Sequence, residues 1–242
     1  MEDTAVRRFD IGWKTYLLPE LHPEGWRFLA VFIAATLGLW LLWDWLLIPA
    51  LMACVWCFFF FRNPKRMVPD RDGLVVTPAS GIVQMVGEVD PPAELNLDPP
   101  GPRQRISVFM SVFDCHVNRA PIAGTVKNIV YSKGKFVNAT LDKASEDNER
   151  NSVVLDLHGE RGQLAFVQIA GLVARRIRCD LTKGQLVLTG EVMGLIRFGS
   201  RLDIYLPPGA APLVAPGQNC VSGETVIADL TSSEPERPGV LR

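Results

Sequence analysis

The stretch LIRFGSRLDIYLP, Leu195 to Pro207, alternates like a strand yet carries a Gly-Ser pair near its middle, Gly199-Ser200. One reading is a tight turn or a bulge. The other is chemical. A serine hydroxyl is a weak nucleophile until something positions or deprotonates it. Against the carbonyl just before it, proximity is already supplied. Gly199 has no side chain to crowd that carbonyl, and its backbone tolerates strained angles. Attack by the Ser200 hydroxyl would convert the amide into an ester. β-Elimination would then cut the chain and leave a dehydroalanine at the new N-terminus. Hydrolysis of that residue yields a pyruvoyl group, a ketone conjugated with a carbonyl. Such a group condenses with amines and accepts electrons. Alone, a Gly-Ser pair says little, because most are turns.

The second candidate is His116, one of three histidines, in the run DCHVNRAP. Imidazole titrates near neutrality and suits a proton donor. The alternative is a structural histidine hydrogen-bonded within the fold. Asp114 lies two residues away and would share its face on a regular strand. His22 and His158 receive no role. Cys54 and Cys57 have CxxC spacing, but they sit in an apolar run with no second pair and no nearby histidine. Burial is the better reading, and no metal site is expected.

These groups need a scaffold. The chain has 242 residues and a formal charge of −1, enough for one sizeable domain or a domain plus an appendage. That balance argues against a nucleic-acid partner. Hydrophobicity concentrates at 28–61, where Asp44 is the only formal charge. One straight helix of that length would span about 50 Å, too long for a bilayer core of roughly 30 Å. A break at Trp43-Asp44-Trp45 gives two shorter runs and moves Asp44 out of the lipid. Arg7, Arg8, Lys14 and Arg27 precede the run, and Arg62, Lys65 and Arg66 follow it. Basic flanks on both sides favour a hairpin with both ends cytoplasmic, crossing fully or re-entrant. A pair of buried core helices is the alternative.

After RNPKR, Pro, Gly and polar residues punctuate short alternating stretches. This pattern predicts a mainly β (α+β) architecture: a sandwich- or barrel-like domain behind an N-terminal hydrophobic helical hairpin. The expected division is an N-terminal segment 1–27, a membrane-associated hairpin 28–61 and a β-rich domain 62–242. The segment APIAGTVKNIVYSKGKFV also looks like half of a lipoyl- or biotinyl-carrier domain. Those carriers present a lysine between hydrophobes, commonly Met-Lys-Met, and no such tripeptide occurs.

Several separate motifs occur together in order: FFRNPKR, VFMSVFDCHVNRAPIAGTV, KASEDNERN, FVQIAGLVARRI and FGSRLDIYLP. Through them the chain resembles the phosphatidylserine decarboxylase family, particularly its short bacterial members, from the hairpin to about Pro208. The resemblance implies self-cleavage between Gly199 and Ser200 into β and α subunits. It implies a covalent pyruvoyl cofactor derived from Ser200, and conversion of phosphatidylserine to phosphatidylethanolamine and carbon dioxide. It places the protein at the cell membrane, peripheral or hairpin-anchored on the cytoplasmic side, and leaves room for a homodimer. His116 then becomes the donor that protonates the carbanion left after decarboxylation. Arg119, Asn148, Glu149 and Arg150 fall in motif segments and could meet the phosphate or carboxylate, with surface or structural pairing as the alternative. Gln168 and Gly171 could shape the pocket. Arg175, Arg176 and Arg178 could face anionic lipid or simply solvent.

The chain departs from the wider family at two points. Where a Pro-x-Asp-Gly motif is common, this chain reads TPASG, with Ser80 at the aspartate position. Longer members carry a second histidine where this chain has Arg119. The usual Asp-His-Ser processing arrangement therefore does not transfer: either His116 acts as the base unaided or with Asp114, or processing is slow and the chain persists as an uncleaved precursor. Two alternatives stay open: a processing-defective relative that binds lipid without catalysis, and a decarboxylase of another serine-headed lipid or of a soluble amino acid.

Overall fold

The computed structural model describes residues 18–134, 148–159, 161–171, 176–197 and 199–240. Arg175, the first residues of the KASEDNERN motif and the segment before Leu18 lie outside them. The described chain forms two units. One runs to Phe58 and includes Arg62–Lys65; the other comprises Phe59–Phe61 and everything from Arg66 onward.

The first unit is helical. Helix α1 spans Pro23–Leu42 and helix α2 spans Leu47–Phe60, its last two residues belonging to the second unit. The break falls where Asp44 demanded it: Trp43 is extended, and Asp44–Leu46 form one 3₁₀ turn. Helix α1 starts ahead of the apolar run because His22 caps it, accepting from the Glu24 N–H at 3.3 Å, with Pro23 in the first turn. Thr36 Oγ1 lies 3.3 Å from Cys54 Sγ, so the two helices lie alongside each other. Leu21 forms an antiparallel bridge with Arg62, and the Asn63 N–H donates to the Glu20 carbonyl. Entry and exit of the hairpin are therefore side by side. Helix α1 is long and apolar enough to cross a membrane, and large side chains such as Leu41 and Val31 are exposed on it. At 14 residues, α2 rises only about 21 Å.

The second unit is strand-rich, with 36% of the described residues in strands against 20% in helices, which agrees with the mainly β expectation. Its strands are β1 (Leu74–Val76), β2 (Gly81–Val89), β3 (Arg103–Met110), β4 (Val117–Arg119), β5 (Gly124–Ser132), β6 (Arg150–Asp156) and β7 (Gln163–Ala170). There follow β8 (Ile177–Cys179), β9 (Leu186–Val187), β10 (Val192–Ile196), β11 (Ser200–Tyr205), β12 (Asn219–Cys220) and β13 (Val226–Asp229). Eight of them form a curled antiparallel sheet in the order β12-β2-β3-β11-β7-β6-β5-β9. A three-stranded sheet runs β4-β10-β8, and β1 pairs with β13.

Alternation sets the two faces of the large sheet. Ile106, Val108 and Met110 of β3, Val153 and Leu155 of β6, Leu164 and Phe166 of β7, and Leu202 and Ile204 of β11 enter the main core. The opposite face is also covered. Leu95 and Leu97, from the loop holding the 3₁₀ turn Ala93–Leu95, pack on Ala165, Val167, Ile169 and Tyr205. The central strands β7 and β11 are thus buried along their whole length. Gly81 opens β2 where only glycine fits: a Cβ there would stand 2.0 Å from the Phe109 carbonyl oxygen.

Candidate active site

Ser200 is the first residue of β11 and is fully buried. Its strand lies between β3 and β7, with Met110 and Ala170 as its register partners. Gly199, just outside the ladder, has φ +59°. A Cβ there would meet nothing within 4 Å, so conformation rather than space favours glycine. The peptide bond of interest therefore joins a left-handed residue to the clamped head of a central strand. The Ser200 hydroxyl lies 3.9 Å from Met110 Sδ. A thioether is a weak acceptor, so this contact places the hydroxyl without tying it to a strong partner. These residues fit a group made from Ser200 itself: the side chain is buried, lightly held and next to a residue with no side chain.

His116 lies between β3 and β4, after the turn Ser111–Asp114. That turn is fixed by the Asp114 carboxylate, which accepts from the Ser111 N–H at 2.8 Å. His116 is 1% exposed. Its Nδ1 sits 3.0 Å from the Asp114 carbonyl oxygen. The Asp114 carboxylate is thus committed to the turn, and it is the Asp114 backbone that meets the imidazole. Phe60 stacks on the ring at 3.9 Å between centroids, and Phe61 packs edge-on against Phe60. In sequence, Phe60 ends the apolar run and opens the FFRNPKR motif, with nothing to mark it as a partner of His116.

Asn148 is fully buried and donates to the Ala170 carbonyl at 2.7 Å; the Ala170 N–H donates to the Glu149 carbonyl. Both residues therefore brace the strand end beside Ser200. Gly171 follows directly and is buried. Gln168 shares the inner face with Ser200 and is fully buried. It accepts from Asn151 at 3.0 Å and donates to Asn118 at 2.9 Å. Neither residue type nor spacing singles out Asn118 or Asn151 in the sequence. For Asn151 the available signal was a polar residue on the strand face otherwise filled by Val153 and Leu155.

Two motif arginines make contacts within the protein. Arg150 points to the opposite face and grips Glu94 through Nε at 2.8 Å and Nη2 at 2.5 Å. The Arg150 hydrogen bond, helped by Ser152 and Ser132, holds the Glu94 carboxyl below the usual carboxylate range against its burial. Arg119 donates to the Gly190 carbonyl at 2.9 Å. Burial, then the charge of Arg66, pull its pKa down. Arg176 is exposed, and Arg178 pairs with Asp180 at 2.7 Å. Ser80 Oγ accepts from the Ser222 N–H at 3.0 Å, and Ser222 Oγ donates to the Pro78 carbonyl. Beyond Ser200, Arg201 and Asp203 form an ion pair at 2.9 Å with neither side chain exposed.

A family model described as phosphatidylserine decarboxylase matches residues 55–228. A protein of Rhodospirillum rubrum named phosphatidylserine decarboxylase proenzyme is 80% identical over 98% of this chain and the whole of its own. Proteins of the same name from Cereibacter sphaeroides and Paramagnetospirillum magneticum are 56% and 53% identical. They cover 94% and 100% of this chain, and 97% and 100% of their own length. With a buried serine behind a left-handed glycine, a buried histidine in the segment between β3 and β4 and similarity along its full length, the chain belongs to the phosphatidylserine decarboxylase family.

Proposed function

We propose that the chain is the precursor of a pyruvoyl-dependent phosphatidylserine decarboxylase, cut between Gly199 and Ser200. The observation that carries this is the fully buried Ser200 hydroxyl, preceded by Gly199 at φ +59°. Ser200 Oγ attacks the Gly199 carbonyl carbon, the C–N bond breaks, and the hydroxyl proton is balanced by the amine freed on Ser200. Loss of the Ser200 Cα proton then expels the ester oxygen as the Gly199 carboxylate. Water replaces the nitrogen, ammonia leaves, and the pyruvoyl remains on the smaller, α chain.

The pyruvoyl, held at the head of β11, would supply a carbonyl for the headgroup amine and an electron sink for decarboxylation. The protein's own residues do the rest. His116, seated by Phe60 and the Asp114 carbonyl, delivers a proton to the headgroup carbon that lost the carboxylate. Asn148 and Glu149 hold the strand end, and Gln168 lines the buried side. Arg119 is the motif arginine nearest His116 in sequence and the candidate for the substrate's anionic groups. The hairpin, roughly 28–61, keeps the β-rich domain 62–242 at the cytoplasmic face of the membrane that contains the substrate.

The test is an intact mass of the purified protein, followed by a carbon dioxide assay on phosphatidylserine. Two chains are expected, the smaller beginning at position 200 and lighter than a serine-initiated peptide by one ammonia. A single chain that persists on long incubation would overturn the reading and favour a non-catalytic relative.

A further inference from the structure

Three primary amides lie in the core on the Ser200 side of the large sheet, where apolar side chains would pack at lower cost. Asn151 is 2% exposed, and Gln168 and Asn118 are fully buried. They come from β6, β7 and β4, so they link the large sheet to the three-stranded one. Asn151 Nδ2 donates to Gln168 Oε1 at 3.0 Å, and Gln168 Nε2 donates to Asn118 Oδ1 at 2.9 Å. With its oxygen committed, Asn118 turns Nδ2 to Met110 Sδ at 3.5 Å. That same sulfur is the contact of Ser200 Oγ at 3.9 Å. The chain of amides has one direction, and it ends on the atom that seats the nucleophile.

We propose that Asn118, Gln168 and Asn151 are positioning residues for self-cleavage, acting through Met110. The amide donors hold the thioether in place, and the thioether holds the Ser200 hydroxyl against the Gly199 carbonyl. Met110 is otherwise an unbranched, adaptable side chain with several rotamers. A donor on its sulfur selects one of them. This inference rests on the cleavage proposed above.

Direction makes the test sharp. In Gln168→Glu the shape is kept, and Asn151 can still donate. A carboxylate cannot donate to Asn118, so the Asn118 amide turns over and presents oxygen to the sulfur. In Met110→Leu the volume is kept and the acceptor is lost. Both variants, as full-length precursor, should cleave on the order of tenfold to a hundredfold more slowly than wild type. Hydroxylamine cleaves the ester intermediate as soon as it forms. Because the block lies before the ester, hydroxylamine should not restore the wild-type rate. Met110→Leu should melt close to wild type, whereas Gln168→Glu places a carboxylate in the core and should melt lower. Wild-type rates in both variants would overturn the inference while leaving cleavage itself intact. So would variants that hydroxylamine brings to the wild-type rate, since their ester would form normally. An uncleaved wild type would instead overturn the underlying reading. If Gln168→Glu does not fold, Met110→Leu alone decides.

Discussion

The imidazole of His116 lies flat against the ring of Phe60, centroids 3.9 Å apart and planes 25° from parallel. Phe60 is contributed by the end of helix α2, so the residue that seats the imidazole comes from the apolar run. Phe60→Leu keeps the bulk and removes the flat face. We expect cleavage to persist and kcat of the mature enzyme to fall about tenfold, because the ring loses its orientation. Unchanged kcat would make the stack mere packing.

His116→Ala separates the two stages of the chemistry. It should still split into two chains but lose turnover, releasing at most about one carbon dioxide per active site before stalling. Electrophoresis and a carbon dioxide assay on one preparation check both halves. An uncleaved variant would move the imidazole to the cutting step.

Ser200→Ala should stay a single chain and be inactive. Gly199→Ala tests the backbone alone, since the added methyl meets nothing within 4 Å. The positive φ should cost about 1–2 kcal/mol in stability, and cleavage should slow. A melting curve and a cleavage time course measure the two effects.

Glu94 predicts an acid-sensitive clamp. Its carboxyl is held below its ordinary value of 4.5, chiefly by the Arg150 hydrogen bond. The stabilisation is therefore fully present above that value and is lost as pH falls through the lowered one. Glu94→Gln should destabilise by about 1–3 kcal/mol at neutral pH. It should also flatten the pH dependence of unfolding across that acid window. Denaturant melts at a series of pH values check this, and an unchanged slope would remove Glu94 from the account.

The buried pair Arg201–Asp203 should behave non-additively. Either Arg201→Leu or Asp203→Leu leaves a charge in the core, which costs about 3–5 kcal/mol. The double variant should be less destabilised than either single one, as measured by denaturant midpoints.

Much of this arrangement was legible in the chain. Asp44 within an apolar run marked the helix break, and alternation marked β3, β7 and β11. His116, Gly199 and Ser200 stood out by type and motif. What alternation cannot show is whether a second face is covered. Arg201 and Asp203 fall opposite Leu202 and Ile204, as a solvent face would, yet both are fully buried. Arg150 stands in a motif beside Asn148, but the strand pleat sends it to Glu94 on the other side. The amides Asn118, Gln168 and Asn151 are far apart in sequence, and only the pairing of β6 with β7 and the approach of β4 bring them together.

A scission before Ser200 would cut the link between β10 and β11, and loss of the Ser200 nitrogen would take only that one N–H from the ladders around it. β11 stays threaded between β3 and β7, β12 on β2, and β13 on β1. Ser222 stays bonded to Ser80, and Asp229 and Glu224 stay paired with Arg71 and Arg66. The two pieces are thus one folding unit in two strings. An affinity tag on either end should retrieve both from native buffer, and only a denaturant should part them.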